Sequence, residues 1–150
     1  KQPQEEIIDF SNIIEQALTF LQSEFEKNNI IVEKQYVENL TIKGDKDLLY
    51  RAIYNIIINA IQAMEDGGTF TIRSEKLSNK IKIIFTDTGS GFDESVLNKI
   101  GEPFMTTKDN GTGLGLTIVI NIIESNNGEV SFSNRSTTGA NVTLEFNKAE

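Results

Sequence analysis

The sequence predicts an α+β fold, organised as a two-layer α/β sandwich in which helices pack on one face of a mixed, mostly antiparallel sheet. Three segments carry apolar residues at helical spacing, and several shorter segments alternate apolar with polar residues as half-buried strands do. The chain has 150 residues and is 38% hydrophobic, which is enough apolar material for one closed core. We therefore expect a single domain over residues 9–150, preceded by a linker at 1–8.

The first half of the chain alternates helices with strands. Apolar residues recur every three or four positions from Phe10 onward, and Asp45 and Asp47 are good residues to begin a second helix. Strict alternation marks the strands that follow it. The predicted elements are a helix at 10–28, a strand at 30–37, a helix from Asp45 to Met64 that ends at the glycine pair 67–68, and strands at 69–73 and 80–85 joined by a polar connection at 77–79.

The second half has a different texture, because residues 87–115 hold six of the eleven glycines. A short helix at about 94–100 interrupts this stretch, and a long glycine-punctuated segment inside a compact domain favours a functional lid, placed here at about 101–113. A third helix follows and ends at Asn127-Gly128, and two strands at 129–133 and 140–146 form a hairpin across 136–139. The residues of the third helix predicted to face inward are Leu116, Val119, Ile120 and Ile123.

Composition excludes several classes of function. Fourteen Lys plus Arg against twenty-two Asp plus Glu give a net charge of −8, which argues against nucleic-acid binding and against a polybasic membrane anchor. The chain has no cysteine and no histidine. A thiolate site, a Ser-His-Asp triad and a histidine acid or base are therefore excluded within it.

The second helix carries a row of amides in an otherwise apolar sequence. Asn55 and Asn59 are four residues apart and Gln62 is three further on, so all three share one helical face. Burying an amide without partners costs about 1–3 kcal/mol in proteins, so these side chains need partners. They form either a satisfied internal network or a set of oxygen ligands for Mg²⁺ beside donors for a polar ligand. This helix alone favours neither alternative.

Asp87-Thr88-Gly89-Ser90-Gly91 places an acidic residue just after an apolar strand. Two glycines would let the backbone turn sharply and approach a flat ligand, and a carboxylate there could accept a hydrogen bond from an exocyclic amine such as that of adenine. The ordinary alternative is an Asp-x-Gly turn, which is common.

A second glycine motif, Gly111-Thr112-Gly113-Leu114-Gly115, leads into the third helix. Backbone N–H groups at a helix N-terminus, together with the helix dipole, can bind phosphate. The spacing is not the G-x-G-x-x-G of a Rossmann fold, and no P-loop sequence occurs. Lys108 is the best cationic candidate for a terminal phosphate, although an exposed loop lysine is the commoner role for any single Lys.

Taken in order, these motifs and Glu102-Pro103-Phe104-x-Thr106-Thr107-Lys108 resemble the N, G1, F and G2 boxes of histidine-kinase catalytic domains. Those domains belong to the ATPase superfamily that includes gyrase, Hsp90 and MutL. The resemblance covers about 9–146. The stretches 59–64 and 99–104 look most like sporulation-type sensor kinases of spore-forming bacteria.

The resemblance implies a Bergerat-type fold that binds Mg²⁺-ATP between the Asn helix and a mobile lid. Asn55 and Asn59 would hold Mg²⁺ and the phosphates, Asp87 would bind the adenine amine, and Lys108 would contact the γ-phosphate. Gly89 and Gly91 would shape the adenine pocket. The remaining residues implied to bind nucleotide lie in or beside the lid: Phe104 as its anchor, Thr107, Gly111, Thr112, Gly113, Leu114 and Gly115.

Three residues depart from the family pattern. Gln62 stands where many members carry a phosphate-binding lysine, so more of the cationic role would fall to Lys108. Met105 replaces the usual aromatic residue of the lid box. Ala140 stands where a threonine usually supports a water-mediated contact to the G1 aspartate. Each departure would weaken ATP affinity without abolishing the site.

The function implied is that of the catalytic half of a two-component sensor kinase, and this half would lie in the cytoplasm whether or not the parent kinase is membrane-anchored. The acceptor histidine would lie on a dimerisation domain that precedes the linker at 1–8, and a response regulator would act downstream. We expect the domain to bind nucleotide but not to autophosphorylate, and to contact neither nucleic acid nor membrane directly.

Three other functions remain open from the sequence. A free-standing serine kinase of the anti-sigma-factor type has the same fold, and a nucleotide-binding switch would retain the site without catalysis. An ATPase of the gyrase, Hsp90 or MutL kind is disfavoured, because those enzymes place a catalytic Glu where this chain has Asn55, and an amide cannot abstract a proton from water.

Overall fold

The computed structural model describes residues 4–100 and 112–149 and shows the predicted α+β fold. None of its described helices is long and apolar enough to cross a membrane. Its elements in chain order are β1 (Glu6–Asp9), α1 (Phe10–Phe20), α2 (Gln22–Lys27), β2 (Ile30–Gln35), β3 (Thr41–Gly44), α3 (Lys46–Ala63), β4 (Gly68–Lys76), β5 (Lys80–Asp87), α4 (Glu94–Lys99), α5 (Thr112–Ser125), β6 (Glu129–Asn134) and β7 (Ala140–Asn147).

Five strands form the main sheet in the order β2-β4-β5-β7-β6. Only β2 and β4 run parallel, and the other three neighbouring pairs are antiparallel. Along β4 and β7, buried residues alternate with more exposed ones, so the sheet has one face on the core and one towards solvent. The predicted mixed, mostly antiparallel sheet is therefore confirmed.

The helical layer is centred on α3, whose buried residues recur every three or four positions and so lie on one face of the helix. Asp45 caps this helix by accepting hydrogen bonds from the backbone N–H groups of Asp47 and Leu48, as the sequence predicted. Helix α5 packs beside α3, and the buried Asn126 that follows α5 accepts a hydrogen bond from the Asp45 N–H at 2.7 Å. The end of α5 is thereby fixed to the start of α3.

The N-terminal region differs from the prediction in two ways. The helix predicted at 10–28 is interrupted at Leu21, whose backbone (φ −100°, ψ 11°) leaves the helical region, and α2 then continues to Lys27. Strand β1, which begins within the stretch assigned to a linker, pairs with β3 in a separate two-stranded sheet. Neither strand was predicted, because four residues are too few to show a period.

Helix α5 also begins earlier and packs differently than predicted. It starts at Thr112, inside the second glycine motif. Leu116, Val119 and Ile123 are buried as predicted, but Ile120 is only partly buried and Ile122 takes the fourth core position. Spacing alone does not distinguish the two residues, because Ile120 follows Leu116 by four just as Ile122 follows Val119 by three.

Candidate functional site

The amide row on α3 is present, and its members have different surroundings. Asn55 is half-buried, and its Nδ2 donates to the Arg51 carbonyl at 2.9 Å, within the helix. One turn on, the Nδ2 of Asn59 is buried and has no hydrogen-bond partner among the described residues. Gln62 is exposed. Among the described residues, no internal network satisfies the Asn59 Nδ2, and a polar ligand for this amide stays a prediction.

Asp87 ends β5 and is only 7% exposed. Its carboxylate accepts hydrogen bonds from the backbone N–H groups of Gly89, at 2.8 Å, and Ala140. Burial raises the pKa of the Asp87 carboxyl above its usual 3.8, while these two hydrogen bonds and the charge of Arg135 act in the opposite direction. The support from Ala140 comes from its main chain, so it does not need the threonine side chain usual in the family.

The segment 88–93 turns sharply after Asp87, and its glycines are sterically required. A Cβ at Gly89 would lie 2.4 Å from the carbonyl oxygen of Ala63, at the end of α3. Ser90 donates its N–H to that same carbonyl at 3.1 Å. Gly91 has φ +83°, a conformation that residues with side chains rarely adopt. These contacts hold the Asp87 loop against the C-terminus of the amide helix.

Two residues that the sequence analysis missed support this loop from the β6–β7 hairpin. Gly139 has φ +116°, and a Cβ there would lie 2.0 Å from the Asp87 carbonyl oxygen. Asn134 bonds to the backbone of Phe92. A glycine in a predicted hairpin loop was the only signal for the first of these residues, and nothing in the sequence marked the second.

These elements enclose a cavity of about 170 Å³ between α3, the Asp87 loop and α5. That volume is below the roughly 300–1,000 Å³ typical of sites for whole drug-sized ligands, and it suits one flat ring system. Most of the lining is apolar, with a small number of polar groups. The lining residues are Ile56, Asn59, Ala60, Gln62, Ala63, Phe70, Phe85, Asp87, Ser90, Gly91, Phe92, Leu116, Ala140 and Val142.

The cavity brings together part of the predicted site. Asn59, Asp87 and Gly91 line it, whereas Asn55 and Gly89 are not among its lining residues. A Cβ at Gly115 would come 3.5 Å from Asn59 Nδ2, so the third helix does approach the amide row. Thr112, Gly113 and Leu114 form the first turn of α5. The predicted residues that lie outside the described part of the chain are Phe104, Met105, Thr107, Lys108 and Gly111.

Comparison with known proteins gives consistent matches. The family model described as "Histidine kinase-, DNA gyrase B-, and HSP90-like ATPase" matches residues 44–150. Sporulation kinases A and B of Bacillus subtilis are each 34% identical to the chain over 144 residues, which is 95% of this chain and 24% and 34% of those proteins. The chain thus spans between about a quarter and a third of the length of these relatives.

Solved structures agree with the sequence matches. The catalytic domain of the histidine kinase ThkA, in a nucleotide-free form, superposes with a TM-score of 0.86 at 28% identity, covering 98% of this chain and 99% of that one. The ThkA kinase in complex with the response regulator TrrA gives 0.82 at 26% identity, covering 98% of this chain and 42% of that one. The chain belongs to the family of histidine kinase-, DNA gyrase B- and HSP90-like ATPases, as the catalytic domain of a two-component sensor histidine kinase.

Proposed function

We propose that the cavity binds the adenine of Mg²⁺-ATP, and that the domain transfers the γ-phosphate to a histidine on a separate dimerisation domain. The observation that carries this proposal is the pairing, across one cavity, of a buried carboxylate at Asp87 with an unpartnered buried amide at Asn59. Buried polar groups are nearly always satisfied, so two such groups facing one apolar cavity indicate a polar ligand.

Asp87 would select the base. Its carboxylate accepts hydrogen bonds and donates none when ionised, so it matches the exocyclic amine of adenine. Guanine carries a carbonyl oxygen at the corresponding ring position, and two acceptors facing each other in a buried site repel. The apolar walls of the cavity, including Phe70 and Phe85, would cover the faces and edges of the ring.

The phosphates and the metal would lie towards Asn55 and Asn59. No cluster of three or more acidic, histidine or cysteine side chains occurs in the part of the chain that the structure describes. Amide oxygens are therefore the hard ligands on offer, and the Asn59 Nδ2 can donate to a phosphate oxygen. Mg²⁺ held there would neutralise phosphate charge during transfer. Lys108 and the glycines of the second motif remain proposed phosphate contacts.

The acceptor must come from outside this sequence, because the chain contains no histidine. We place it on the dimerisation domain of the same kinase, with a response regulator as the later partner. The ThkA–TrrA complex shows that a similar kinase binds a response regulator. We propose a cytoplasmic location for the domain, because ATP is available there.

Calorimetric titration with ATP, with and without Mg²⁺, tests the binding step. Wild-type chain should bind, Mg²⁺ should strengthen binding, and Asp87→Asn should weaken it at least tenfold, because the amide presents donors towards the base amine. GTP serves as the matched control ligand and should bind more weakly. Equal affinities of the wild type and the variant for ATP would contradict the assignment of Asp87.

Phosphoryl transfer needs a second experiment, in which the chain is mixed with labelled ATP and a separately produced dimerisation domain of a related sensor kinase. Acid-labile label on that domain supports a histidine kinase. Acid-stable label on a protein partner would indicate the serine-kinase alternative. Binding without any transfer would indicate a nucleotide-dependent switch.

A further inference from the structure

Segment 88–93 forms one wall of the cavity, and a single side chain holds its far end. Asn134, the last residue of β6, accepts a hydrogen bond from the Phe92 N–H at 2.8 Å. Its Nδ2 donates to the Phe92 carbonyl at 3.0 Å. Within residues 4–100 and 112–149, these are the hydrogen bonds that the Phe92 backbone makes. The Asn134 side-chain amide therefore satisfies both backbone groups of Phe92, as a neighbouring β-strand would do.

The same hairpin end also holds the near end of the segment. Asn134 lies opposite Ala140 in the β6–β7 register, and the Ala140 N–H donates to the Asp87 carboxylate. Gly139 packs directly against the Asp87 carbonyl. The β6–β7 hairpin therefore holds both ends of segment 88–93: Gly139 and Ala140 contact Asp87 before it, and Asn134 bonds to Phe92 near its end.

Asn134 also limits where the wall can lie. A Cβ at Gly91 would come 2.9 Å from the Asn134 Oδ1, so backbone and amide are in close contact. Phe92 lines the cavity, and its ring packs edge-on against Phe132 with centroids 5.8 Å apart. Phe132 and Asn134 lie on the same strand, two residues apart, and both contact Phe92.

We propose that Asn134 is a positioning residue for base binding, which fixes Gly91 and Phe92 as the wall against which the ring of the nucleotide packs. This inference rests on the proposed function. A wall held in place before the ligand arrives does not have to be ordered on binding, so affinity is gained without a contact between Asn134 and the ligand. Because Asn134 is itself exposed, its contribution to overall stability is expected to be small by comparison.

The test compares Asn134→Ala with Asn147→Ala, a matched change of an exposed asparagine near the end of β7, away from the cavity. ADP is titrated by calorimetry and adenosine by NMR. We expect Asn134→Ala to weaken both ligands by the same factor, about three- to tenfold, as two exposed hydrogen bonds would give. Asn147→Ala should change neither affinity. Asn134→Asp keeps the acceptor and loses the donor, so its effect should be intermediate.

Urea unfolding of the same variants separates a positioning role from a purely structural one. If Asn134 were purely structural, Asn134→Ala would lower the urea midpoint and leave the ligand affinity of the folded chain unchanged. That result would overturn the inference. A loss confined to ADP, with adenosine unaffected, would also overturn it, because the effect would then lie at the phosphates. If the wild type binds neither ligand, the proposed function fails, and this inference fails with it. If the wild type binds and Asn134→Ala binds equally well, only the inference fails.

Discussion

Asp87 shows how the fold can hold one residue in an environment that disfavours its charged form. A carboxylate with 7% exposure loses most of its hydration, and the two backbone hydrogen bonds replace only part of it. The pKa of the carboxyl is raised because burial outweighs these hydrogen bonds and the charge of Arg135. A ligand amine would supply a further donor to the ionised form.

This shift predicts a pH dependence of stability. A raised folded pKa means that the contribution of Asp87 is fully present below its unfolded value of 3.8 and is lost as the pH rises through the folded value. The free energy of unfolding of the wild type should therefore fall relative to that of Asp87→Asn as the pH rises from 3.8 towards neutrality. Urea unfolding of both proteins across this range measures the difference. The expectation would be refuted if the free energy of unfolding of the wild type minus that of Asp87→Asn stayed constant or rose with pH.

Asn59 should show the opposite effects on stability and on binding. Its Nδ2 is buried and unpartnered without ligand, and alanine is the better helix former, so Asn59→Ala should stabilise the ligand-free chain by about 1 kcal/mol. The same change should reduce Mg²⁺-ATP affinity at least tenfold. Asn55→Ala is the control for stability, because the Asn55 amide already has a partner in the Arg51 carbonyl. Destabilisation by Asn59→Ala larger than that of the control would contradict this account.

At the scale of elements, the site lies where α3, α5 and the β6–β7 hairpin meet. The buried Asn126 amide joins α5 to the first turn of α3 at the far end of both helices from the cavity. At the cavity end the two helices come together at Asn59 and Gly115. The approach of α5 to the amide row is therefore fixed by packing along the whole helix pair.

Gly115 tests whether this close approach serves binding. It lies inside α5, and a Cβ there would make ordinary contact with Asn59, at 3.5 Å. Gly115→Ala should stabilise the ligand-free chain by about 0.5–1 kcal/mol, because alanine loses less backbone entropy in a helix. ATP affinity should fall, because the added methyl group occupies space beside the Asn59 amide that is proposed to bind the ligand. Thermal unfolding and calorimetry measure the two effects, and unchanged ATP affinity would remove Gly115 from the site.

The whole domain should respond to its ligand through mass action. At a concentration one hundred times its Kd, Mg²⁺-ATP would stabilise the folded chain by about 2.7 kcal/mol, which would raise the Tm of a domain of this size by roughly 5–10 °C. Scanning fluorimetry with ATP should show a smaller rise when EDTA replaces Mg²⁺, and a smaller rise again for Asp87→Asn. A rise of equal size with GTP would argue against selection by the base.

The fold was predictable because its long elements have clear periods. Helix α3 was predicted close to its observed bounds, with Asp45 and Asp47 at its start, while strands β4 and β5 extend three and two residues beyond their predicted ends. The break at Leu21 and the β1–β3 pair depend on tertiary contacts that leave no period in so few residues. Helix α5 begins inside a glycine motif, where packing on α3 outweighs poor helix propensity.

The candidate site was predictable where its residues carry the chemistry. Asn59 and Asp87 stood out because a polar side chain in an apolar surrounding needs an explanation. Asn134 gave no such signal, since an exposed asparagine at a strand end is ordinary and only the folded chain brings it to Phe92. Supporting residues of this kind are identified from their contacts in the folded structure and not from their amino-acid type.

The order of strands in the sheet has a consequence for synthesis of the chain. Strand β7 lies between β5 and β6, so the hydrogen bond from Ala140 to Asp87 joins residues that leave the ribosome far apart in time. Until β7 has emerged and inserted beside β5, the Asp87 carboxylate lacks one of its two backbone donors. The loop at 88–93 then also lacks its contacts with the β6–β7 hairpin. A growing chain would therefore bind nucleotide only after the C-terminal hairpin has formed. Nucleotide binding would then indicate that the domain has finished folding.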